Sequence, residues 1–254
     1  MGLFDKKFCS ICGGKIGFLG NRRLEDGNLC KDCAGKLSPW FSDRRSSTVE
    51  EIRAQLAYRE ENRNAVAAFH VTRSLGENTK LLLDEDAGKF MVTAARNYAE
   101  ANPDVLDFTQ VTGVELDIDE DRDEEYTADK DNKRVSYNPP RYSFSYSFTV
   151  ILRVNHPYFD EIRFRLNNSR VETTPGGGVP MVRKPNPALN PYYKAYLDMG
   201  QEIQTILTEA RQQAREDARA AAAPKTAVAC PWCGATTIPD ERGCCEYCGG
   251  ALHG

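Results

Sequence analysis

Eight of the nine cysteines in this chain form two quartets, and their spacing is that of zinc ligands. Each quartet consists of two C-x-x-C pairs, separated by seventeen residues near one end of the chain and by eleven near the other. The predicted ligands are Cys9, Cys12, Cys30 and Cys33 in one quartet and Cys230, Cys233, Cys245 and Cys248 in the other. Four thiolates close the tetrahedral shell of a zinc ion and leave no position for a catalytic water. We therefore predict two structural zinc ions.

Disulfides and a redox-active pair are the competing interpretations of these cysteines. Met1 to Phe8 carries no hydrophobic signal segment, so we expect a cytoplasmic, reducing environment rather than an oxidising one. A redox C-x-x-C pair normally stands alone, whereas here the pairs come in twos. The ninth cysteine, Cys244, is expected to be a small apolar support for the second zinc module. His253 is expected to be a terminal residue without a ligand role.

The composition predicts one sizeable core with small satellite modules. The chain has 254 residues, of which 41% are hydrophobic and 28% charged, and no apolar run approaches the length of a membrane span. The net charge of −4 gives no general preference for nucleic acid. Charge is nevertheless uneven, because Lys and Arg predominate in residues 1–47 and Asp and Glu in Asp117–Asp131.

The segment pattern divides the chain into five parts. Residues 1–46 form the first zinc module, and 47–64 form a connecting helix whose start is marked by a capping box near Thr48 and Glu51. Residues 65–217 form the central domain, 218–229 a linker, and 230–254 the second zinc module. Val49, Ile52 and Leu56 follow helical spacing, so we expect this stripe of the connecting helix to pack on its own domain.

The central domain is predicted to be antiparallel. Lys80–Leu83 and Lys89–Thr93 flank a turn, and Tyr142–Val154 alternates apolar and polar residues before a second hairpin strand with Ile162, Phe164 and Leu166. Between these two hairpins, Asp119–Pro140 is so acidic that we expect a long exposed loop. A calcium site there lacks the glycine and glutamate spacing of an EF-hand.

A long helix is predicted to end the central domain. Asn190 is its cap, Pro191 lies in its first turn, and its apolar face fades beyond Ala214. The buried face is formed by Tyr193, Tyr196, Leu197, Gly200, Ile203, Leu207 and Ala210. Before the helix, the triplet Gly176-Gly177-Gly178 lacks the lysine of a phosphate-binding loop, so that stretch is predicted to be a connector.

Three resemblances to known families follow from these elements. The order of several antiparallel strands closed by one helix, over about 65–214, resembles the pleckstrin-homology-like β-barrel, which implies an α+β fold. The opening segment, with Cys9-Ser-Ile-Cys12-Gly-Gly, Cys30-Lys-Asp-Cys33 and Thr48-Val-Glu-Glu-Ile52, is similar to a bacterial family of unknown function. The tail, Cys230-Pro-Trp-Cys233-Gly and Cys245-Glu-Tyr-Cys248-Gly-Gly, resembles a zinc ribbon. None of these resemblances implies a known activity.

Binding is the expected function, and three classes of partner remain. A protein partner would use exposed aromatic and aliphatic residues of the modules, the candidates being Trp40, Phe41, Trp232, Ile238 and Tyr247. The alternative for these five side chains is burial around the metal. A nucleic-acid partner would use Arg22, Arg23, Arg44 and Arg45, although the second module is acidic. Attachment to a membrane surface through the barrel, a partner or Met1–Phe4 is the third class.

An enzyme is the least supported class, because no nucleophile and base stand in a recognisable motif. His70 lies in an apolar run and His156 precedes a proline, so both are expected to pack or to lie in turns. The sequence thus predicts a non-enzymatic zinc protein that serves as an interaction or adaptor protein.

Overall fold

A computed structural model of the chain describes residues 7–173, 184–222, 227–240 and 242–252, with the backbone alone at 221–222. The described residues form four α-helices, three short 3-10 helices and fourteen strands. The α-helices are α1 (Lys31–Ala34), α2 (Val49–Ala68), α3 (Tyr98–Ala101) and α4 (Pro191–Ala222). The strands are β1 (Lys7–Phe8), β2 (Lys15–Ile16), β3 (Arg22–Arg23), β4 (Asn28–Leu29), β5 (Arg73–Leu75), β6 (Lys80–Asp84), β7 (Lys89–Thr93), β8 (Val105–Asp107), β9 (Val111–Ala128), β10 (Arg134–His156), β11 (Phe159–Arg165), β12 (Val171–Thr173), β13 (Val228–Ala229) and β14 (Thr236–Thr237).

The chain divides into two compact units, Met1–Gln212 and Gln213–Gly254. The first unit contains the N-terminal quartet, α2 and two four-stranded antiparallel sheets, and the second contains the C-terminal quartet. The start of the predicted linker, residues 218–222, is helical and belongs to α4. Three earlier predictions lie outside the described residues, namely those for Met1–Phe4, for Gly176–Gly178 and for His253.

Helix α2 begins where the sequence predicted, because its first turn is capped. The Thr48 hydroxyl accepts the N–H of Glu51 at 3.2 Å, and the Glu51 carboxylate accepts the N–H of Thr48 at 2.7 Å. Asp26, in the segment before β4, accepts the N–H of Val49 at 2.7 Å and so joins the helix to the first module. The helix continues to Ala68 rather than ending near residue 64.

The two larger sheets are separate, and the described strands do not close into a barrel. The first sheet has the order β5-β6-β7-β8, and in the second β10 pairs with β9 along one edge and with β11 and β12 along the other. The predicted alternation in β10 is confirmed, since Phe144, Tyr146, Phe148, Val150 and Leu152 are all buried. The fold is thus α+β with antiparallel sheets, and its relation to the pleckstrin-homology-like architecture stays a prediction.

The prediction of a long loop over Asp119–Pro140 is wrong. Strand β9 runs to Ala128 and β10 starts at Arg134, so this segment is a long hairpin. Aspartates occupy every second position from Asp117 to Asp123 of β9, which places them on one face of the ribbon. Arginines lie over tyrosines on the ribbon, with Arg122 at 3.6 Å from the Tyr142 ring, Arg134 at 3.8 Å from that of Tyr126, and Arg141 at 4.2 Å from that of Tyr137. Backbone pairing and these stacks stabilise a segment that has almost no apolar residues to bury.

The first half of α4 packs on the second sheet as predicted. Asn190 caps the helix by accepting the N–H groups of Tyr192 and Tyr193 at 2.9 and 3.2 Å. Tyr193 meets the rings of Tyr146 and Phe148 with centroids 4.9 and 5.0 Å apart. The predicted face is correct, because Gly200, Ile203 and Leu207 are its buried residues. The helix therefore closes one side of the core of the first unit.

Candidate metal centres

The first pair of the N-terminal quartet lies in a tight turn called here a knuckle. Cys9 donates its N–H to the carbonyl of Gly14 at 2.8 Å, and the N–H of Gly13 returns to the carbonyl of Cys9 at 2.8 Å. The φ of Gly13 is +70°, a conformation that suits glycine because it has no Cβ. The turn brings the side chains of Cys9 and Cys12 to the same side.

The second pair of this quartet is held by a helix rather than by a knuckle. Cys30 caps α1, and its sulfur accepts the N–H of Cys33 at 3.3 Å. The N–H of Cys30 in turn points to the sulfur of Cys9 at 3.4 Å. These backbone donors favour the thiolate form, which is the form that binds metal.

The distances within the N-terminal quartet fit a tetrahedral metal and exclude disulfides. The four Sγ atoms all lie within 4.8 Å of one another, and the Cys12 and Cys30 sulfurs are 3.8 Å apart. A tetrahedron with Zn–S bonds of about 2.3 Å has sulfur–sulfur edges of about 3.8 Å. A disulfide would need about 2.05 Å. The donor set and its spacing therefore suit one zinc ion.

The C-terminal quartet is built from two knuckles with the same hydrogen-bond pattern. Cys230 donates to the carbonyl of Ala235 at 2.8 Å and Cys245 to that of Gly250 at 2.8 Å, with Gly234 and Gly249 at positive φ. The sulfur–sulfur distances are 3.6 Å for Cys230 and Cys248 and 3.7 Å for Cys233 and Cys245, and all four sulfurs lie within 4.8 Å. The two quartets thus have the same arrangement of sulfurs on different backbones, one knuckle and a helix in the first and two knuckles in the second.

The surroundings of the N-terminal quartet lower the pKa of one thiol, Cys9, and raise that of another, Cys33. Burial raises the pKa of Cys9, but the backbone N–H groups of Cys12, Cys30 and Ile11 outweigh it and lower that pKa to about 6. Burial and then the thiol of Cys30 raise the pKa of Cys33. Four thiolates so close together repel one another, and a divalent cation is what allows all of them to ionise.

The same division is present in the C-terminal quartet. Desolvation raises the pKa of Cys230, but the N–H groups of Cys233 and Trp232 outweigh it and lower the pKa to about 6. At Cys248 the N–H of Gly250 lowers the pKa, but the neighbouring thiols, Cys230 first, raise it to about 12. Both quartets therefore have the chemistry of a metal site. Within the described residues, they are the two places where three or more Cys, His, Asp or Glu ligand atoms converge.

The N-terminal module shares its core with α2. Cys9 and Cys33 are buried with Ile52, and the partly buried Val49 and Leu56 pack against them. The other buried members of this core are Ile16, Leu24, Leu29 and Leu37. The predicted stripe of α2 is therefore correct in its first three turns, where it covers the metal module.

The next turns of α2 bury a polar network that the sequence analysis missed. Arg59 pairs with Asp104 at 2.7 Å and also donates to the carbonyls of Asn102 and Lys36. Asp104 further accepts hydrogen bonds from Ser38 at 2.7 Å and Tyr58 at 3.1 Å. This network joins the metal module, α2 and the first sheet.

Asn62, one turn further along α2, extends the network. Its side chain donates to Asn102 Oδ1 and to the Pro103 carbonyl, each at 2.8 Å, and accepts the N–H of Val105 at 3.0 Å. The signal in the sequence is that Gln55, Arg59 and Asn62 recur at helical spacing. Polar residues at that spacing normally mark a face of a helix exposed to solvent, so the sequence alone did not indicate that these three are buried.

The five candidate contact residues separate into two groups. Trp232, Tyr247 and Ile238 are exposed, at 74%, 70% and 52%. Trp40 and Phe41 are half-buried, and Phe41 meets the ring of Tyr158 at 6.5 Å between centroids. Phe41 also packs against the core that contains Cys9 and Cys33, so burial around the module applies to Phe41.

The other residues considered in the sequence, a histidine, the ninth cysteine and the aspartates of β9, take part in packing, hydrogen bonding and strand formation. His156 stacks on Phe159 with ring centroids 4.1 Å apart, and burial lowers its pKa. Cys244 lies next to the second knuckle, where its N–H donates to Asp240 at 2.7 Å, and it forms an isolated bridge with Ala251. Asp117, Asp119, Asp121 and Asp123 belong to a strand, so the calcium-loop alternative is excluded for them.

Arg22, Arg23, Arg44 and Arg45 are brought together on the first module. Arg44 donates to the carbonyl of Arg23 at 3.0 Å. Burial, and then the charges of Arg22 and Arg45, lower the pKa of Arg44. The predicted basic group is thus a continuous cluster.

Among residues 7–173, 184–222 and the described part of the C-terminal unit, none of the helices combines the length and the apolar character that crossing a bilayer requires. No curated protein and no solved structure matches the chain. Residues 7–55 match the family described as Domain of unknown function (DUF4428). The matched segment contains the whole N-terminal quartet and ends within α2 at Gln55, so the match covers the metal module together with the first turns of the helix that completes its core.

Proposed function

We propose that the chain is a non-enzymatic, cytoplasmic adaptor in which two structural zinc ions shape surfaces that bind other proteins. Each ion is held by four thiolates, a closed shell that supplies structure rather than catalysis. The arrangement of the sulfurs supports this role for Cys9, Cys12, Cys30 and Cys33 and for Cys230, Cys233, Cys245 and Cys248. A module this small cannot stay folded through its own apolar core alone, and zinc binding supplies the additional stability.

One observation carries the protein-binding role: Trp232 and Tyr247 stand at the same position of their two knuckles, each directly before a ligand cysteine. Both side chains are largely exposed, while the backbone beneath each is fixed by the knuckle hydrogen bonds. Aromatic side chains on a rigid support lose little conformational entropy on binding and dominate many protein interfaces. A metal-binding module with a purely structural role has no need to expose two large rings.

The experiment compares proteins captured by the wild type and by Tyr247→Ala from a nuclease-treated lysate. Tyr247 is the cleaner choice, because Trp232 also donates a hydrogen bond to the carbonyl of Ala251 at 3.0 Å. Leu189→Ala is the matched control, since Leu189 is an exposed apolar residue of the first unit and both knuckles belong to the second. We expect a stoichiometric protein to be retained by the control and lost with Tyr247→Ala, while both variants keep two zinc ions. Equal capture by all three proteins would contradict the role of this surface.

A further inference from the structure

A turn on the N-terminal module exposes two apolar side chains at its tip. The N–H of Gly20 donates to the carbonyl of Gly17 at 3.0 Å, which makes Phe18 and Leu19 the two central residues of a β-turn. Their side chains are 88% and 84% exposed. Turn tips normally carry polar residues, glycine or proline, so an adjacent pair of large apolar side chains there is unusual.

The exposed pair is not a core left incomplete. Ile16, directly before the turn, and Leu24, after it, are both buried in the core of the module. The chain on either side of the tip is fixed by the β1–β2 pairing and the β3–β4 pairing. The tip therefore projects from a filled core, and Phe18 and Leu19 are presented to whatever the module meets.

The arginine cluster lies beside this turn. The Arg22 guanidinium donates to the carbonyl of Leu19 at 3.4 Å, so a positive charge rests against the tip itself. Arg44 reaches the carbonyl of Arg23 and lies close enough to Arg22 and Arg45 for their charges to lower its pKa. The cluster thus reaches the apolar tip through Arg22, with Arg44 close behind it.

These arginines are not paired with carboxylates within the described part of the chain. None of the ion pairs found there includes Arg22, Arg23, Arg44 or Arg45. The acids nearest in sequence are Glu25, Asp26 and Asp43, and none of them forms an ion pair in the described part of the chain. Asp26 instead accepts the N–H of Val49, and Asp43 accepts the Ser42 hydroxyl at 3.3 Å. An anionic partner would therefore complement the cluster.

The geometry points to an anionic phospholipid surface as the partner of this face, with Phe18 and Leu19 entering the interface and the arginines contacting lipid phosphates. Apolar side chains at a protruding tip with cations behind them match the two layers of a bilayer surface, in which acyl chains lie beneath charged headgroups. Neither signal is strong alone, and stable attachment requires both. A single-stranded nucleic acid would use the arginines and could stack on Phe18, but Leu19 offers no ring for a base. This lipid-binding role of the first module is separate from the protein-binding role proposed for the second module.

The test is co-sedimentation of the full zinc-loaded chain with vesicles. Phosphatidylcholine vesicles containing about one-third phosphatidylglycerol are compared with phosphatidylcholine alone. We expect binding to the anionic vesicles only. Phe18→Ser combined with Leu19→Ser is expected to weaken it by about tenfold or more, since the apolar anchor is lost. Arg22→Gln combined with Arg45→Gln is expected to weaken it about 25-fold, from about fivefold for each charge removed.

Matched controls distinguish binding through the turn from non-specific hydrophobic adsorption and from binding of other anions. Leu189→Ser removes an equally exposed apolar residue elsewhere in the first unit and is expected to leave binding unchanged. Each variant is required to keep two zinc ions and the wild-type melting temperature, so that loss of fold is not read as loss of binding. Inorganic phosphate is not expected to compete, because it offers the tip no apolar phase. No vesicle binding by the wild type, binding unaffected by the turn substitutions, or binding to an oligonucleotide in place of vesicles would each overturn the proposal.

Discussion

Arg59 and Asp104 form a buried ion pair at 2.7 Å that ties helix α2 to the strand segment leading into β8. The Asp104 side chain is fully buried, and it also accepts hydrogen bonds from Ser38 and Tyr58. One carboxylate thereby contacts the metal module and α2 at the same time. Burial of charge is costly without such partners, so the position of the N-terminal module depends on this network remaining complete.

The first prediction concerns Asp104→Ala. This change leaves the Arg59 guanidinium buried without its partner and removes the acceptor of two further hydrogen bonds. Breaking a buried pair from one side costs about 3–5 kcal/mol of unfolding free energy. Urea unfolding of the zinc-loaded protein, followed by circular dichroism, measures it.

The matched control for this substitution is Arg63→Ala, one turn along the same helix. Arg63 pairs with Glu60 on an exposed surface, where an ion pair contributes about 0.5 kcal/mol or less. If Asp104→Ala and Arg63→Ala lowered the free energy of unfolding by similar amounts, the buried network would contribute no more to stability than an exposed ion pair.

The second prediction concerns the consequences of losing each metal site. Cys9 and Cys33 share a core with Ile52, whereas the second quartet belongs to a separate compact unit. We expect Cys12→Ser combined with Cys30→Ser to lower the melting temperature of the first unit. Cys233→Ser combined with Cys248→Ser is expected to leave that transition unchanged.

Differential scanning calorimetry distinguishes these outcomes, with near-ultraviolet circular dichroism as a second readout. Identical effects of the two double substitutions on the first unit would contradict the sharing of a core between the N-terminal module and α2.

Much of this fold could be predicted from the sequence wherever one local signal decided the structure. The cap at Thr48, the apolar alternation of Tyr142–Val154 and the Asn190 cap of α4 were each recognised because a few neighbouring residues fix them. The hairpin over Asp119–Pro140 was not, because its acidic composition argues against packing, while its stability comes from backbone pairing of β9 with β10 and from arginines stacked on tyrosines. Sheet closure depends equally on non-local contacts, so the predicted barrel could not be distinguished from two separate sheets.

The third prediction tests the cap of α2. Thr48→Ala removes the hydroxyl that accepts the N–H of Glu51 and is expected to cost about 1 kcal/mol of unfolding free energy. Thr205→Ala is the control, because Thr205 is exposed inside α4 and alanine is the better helix former there. Thermal unfolding should show a lower midpoint for Thr48→Ala and no decrease for Thr205→Ala. A cap without effect would mean that tertiary packing alone determines where α2 begins.

The fourth prediction follows from the pKa of His156. Burial lowers this pKa below its unfolded value of 6.5, with the charge of Asp104 partly opposing the shift. Below pH 6.5 the unfolded state therefore binds a proton more readily than the folded state. The stability that neutral His156 provides is present above pH 6.5 and is lost as the pH falls toward the folded pKa.

Melting temperatures between about pH 7.5 and pH 6 should therefore fall more steeply for the wild type than for His156→Phe, which keeps an aromatic ring but cannot bind a proton. Parallel curves for the two proteins would contradict a lowered pKa at this position.

The ligands of the candidate metal sites could be predicted from the sequence, whereas the contacts around them could not. C-x-x-C spacing identifies the sulfurs because the ligands are close in sequence, and the structure brings all eight of them into two clusters. The sequence did not indicate that Cys30 and Cys33 would be carried by a helix while the other pairs form knuckles. It also gave no sign that Phe18 and Leu19 project beside the arginines, because an exposed turn and a buried strand end look alike in a short apolar stretch.

Metal analysis of the purified chain tests the central claim most directly. Inductively coupled plasma mass spectrometry, combined with protein quantification, should give two zinc ions per chain for the wild type. It should give one for Cys12→Ser combined with Cys30→Ser, and one for Cys233→Ser combined with Cys248→Ser. Protein that carries no zinc when purified under reducing conditions, or whose zinc content is unaffected by either double substitution, would contradict the assignment of the two quartets as structural zinc sites.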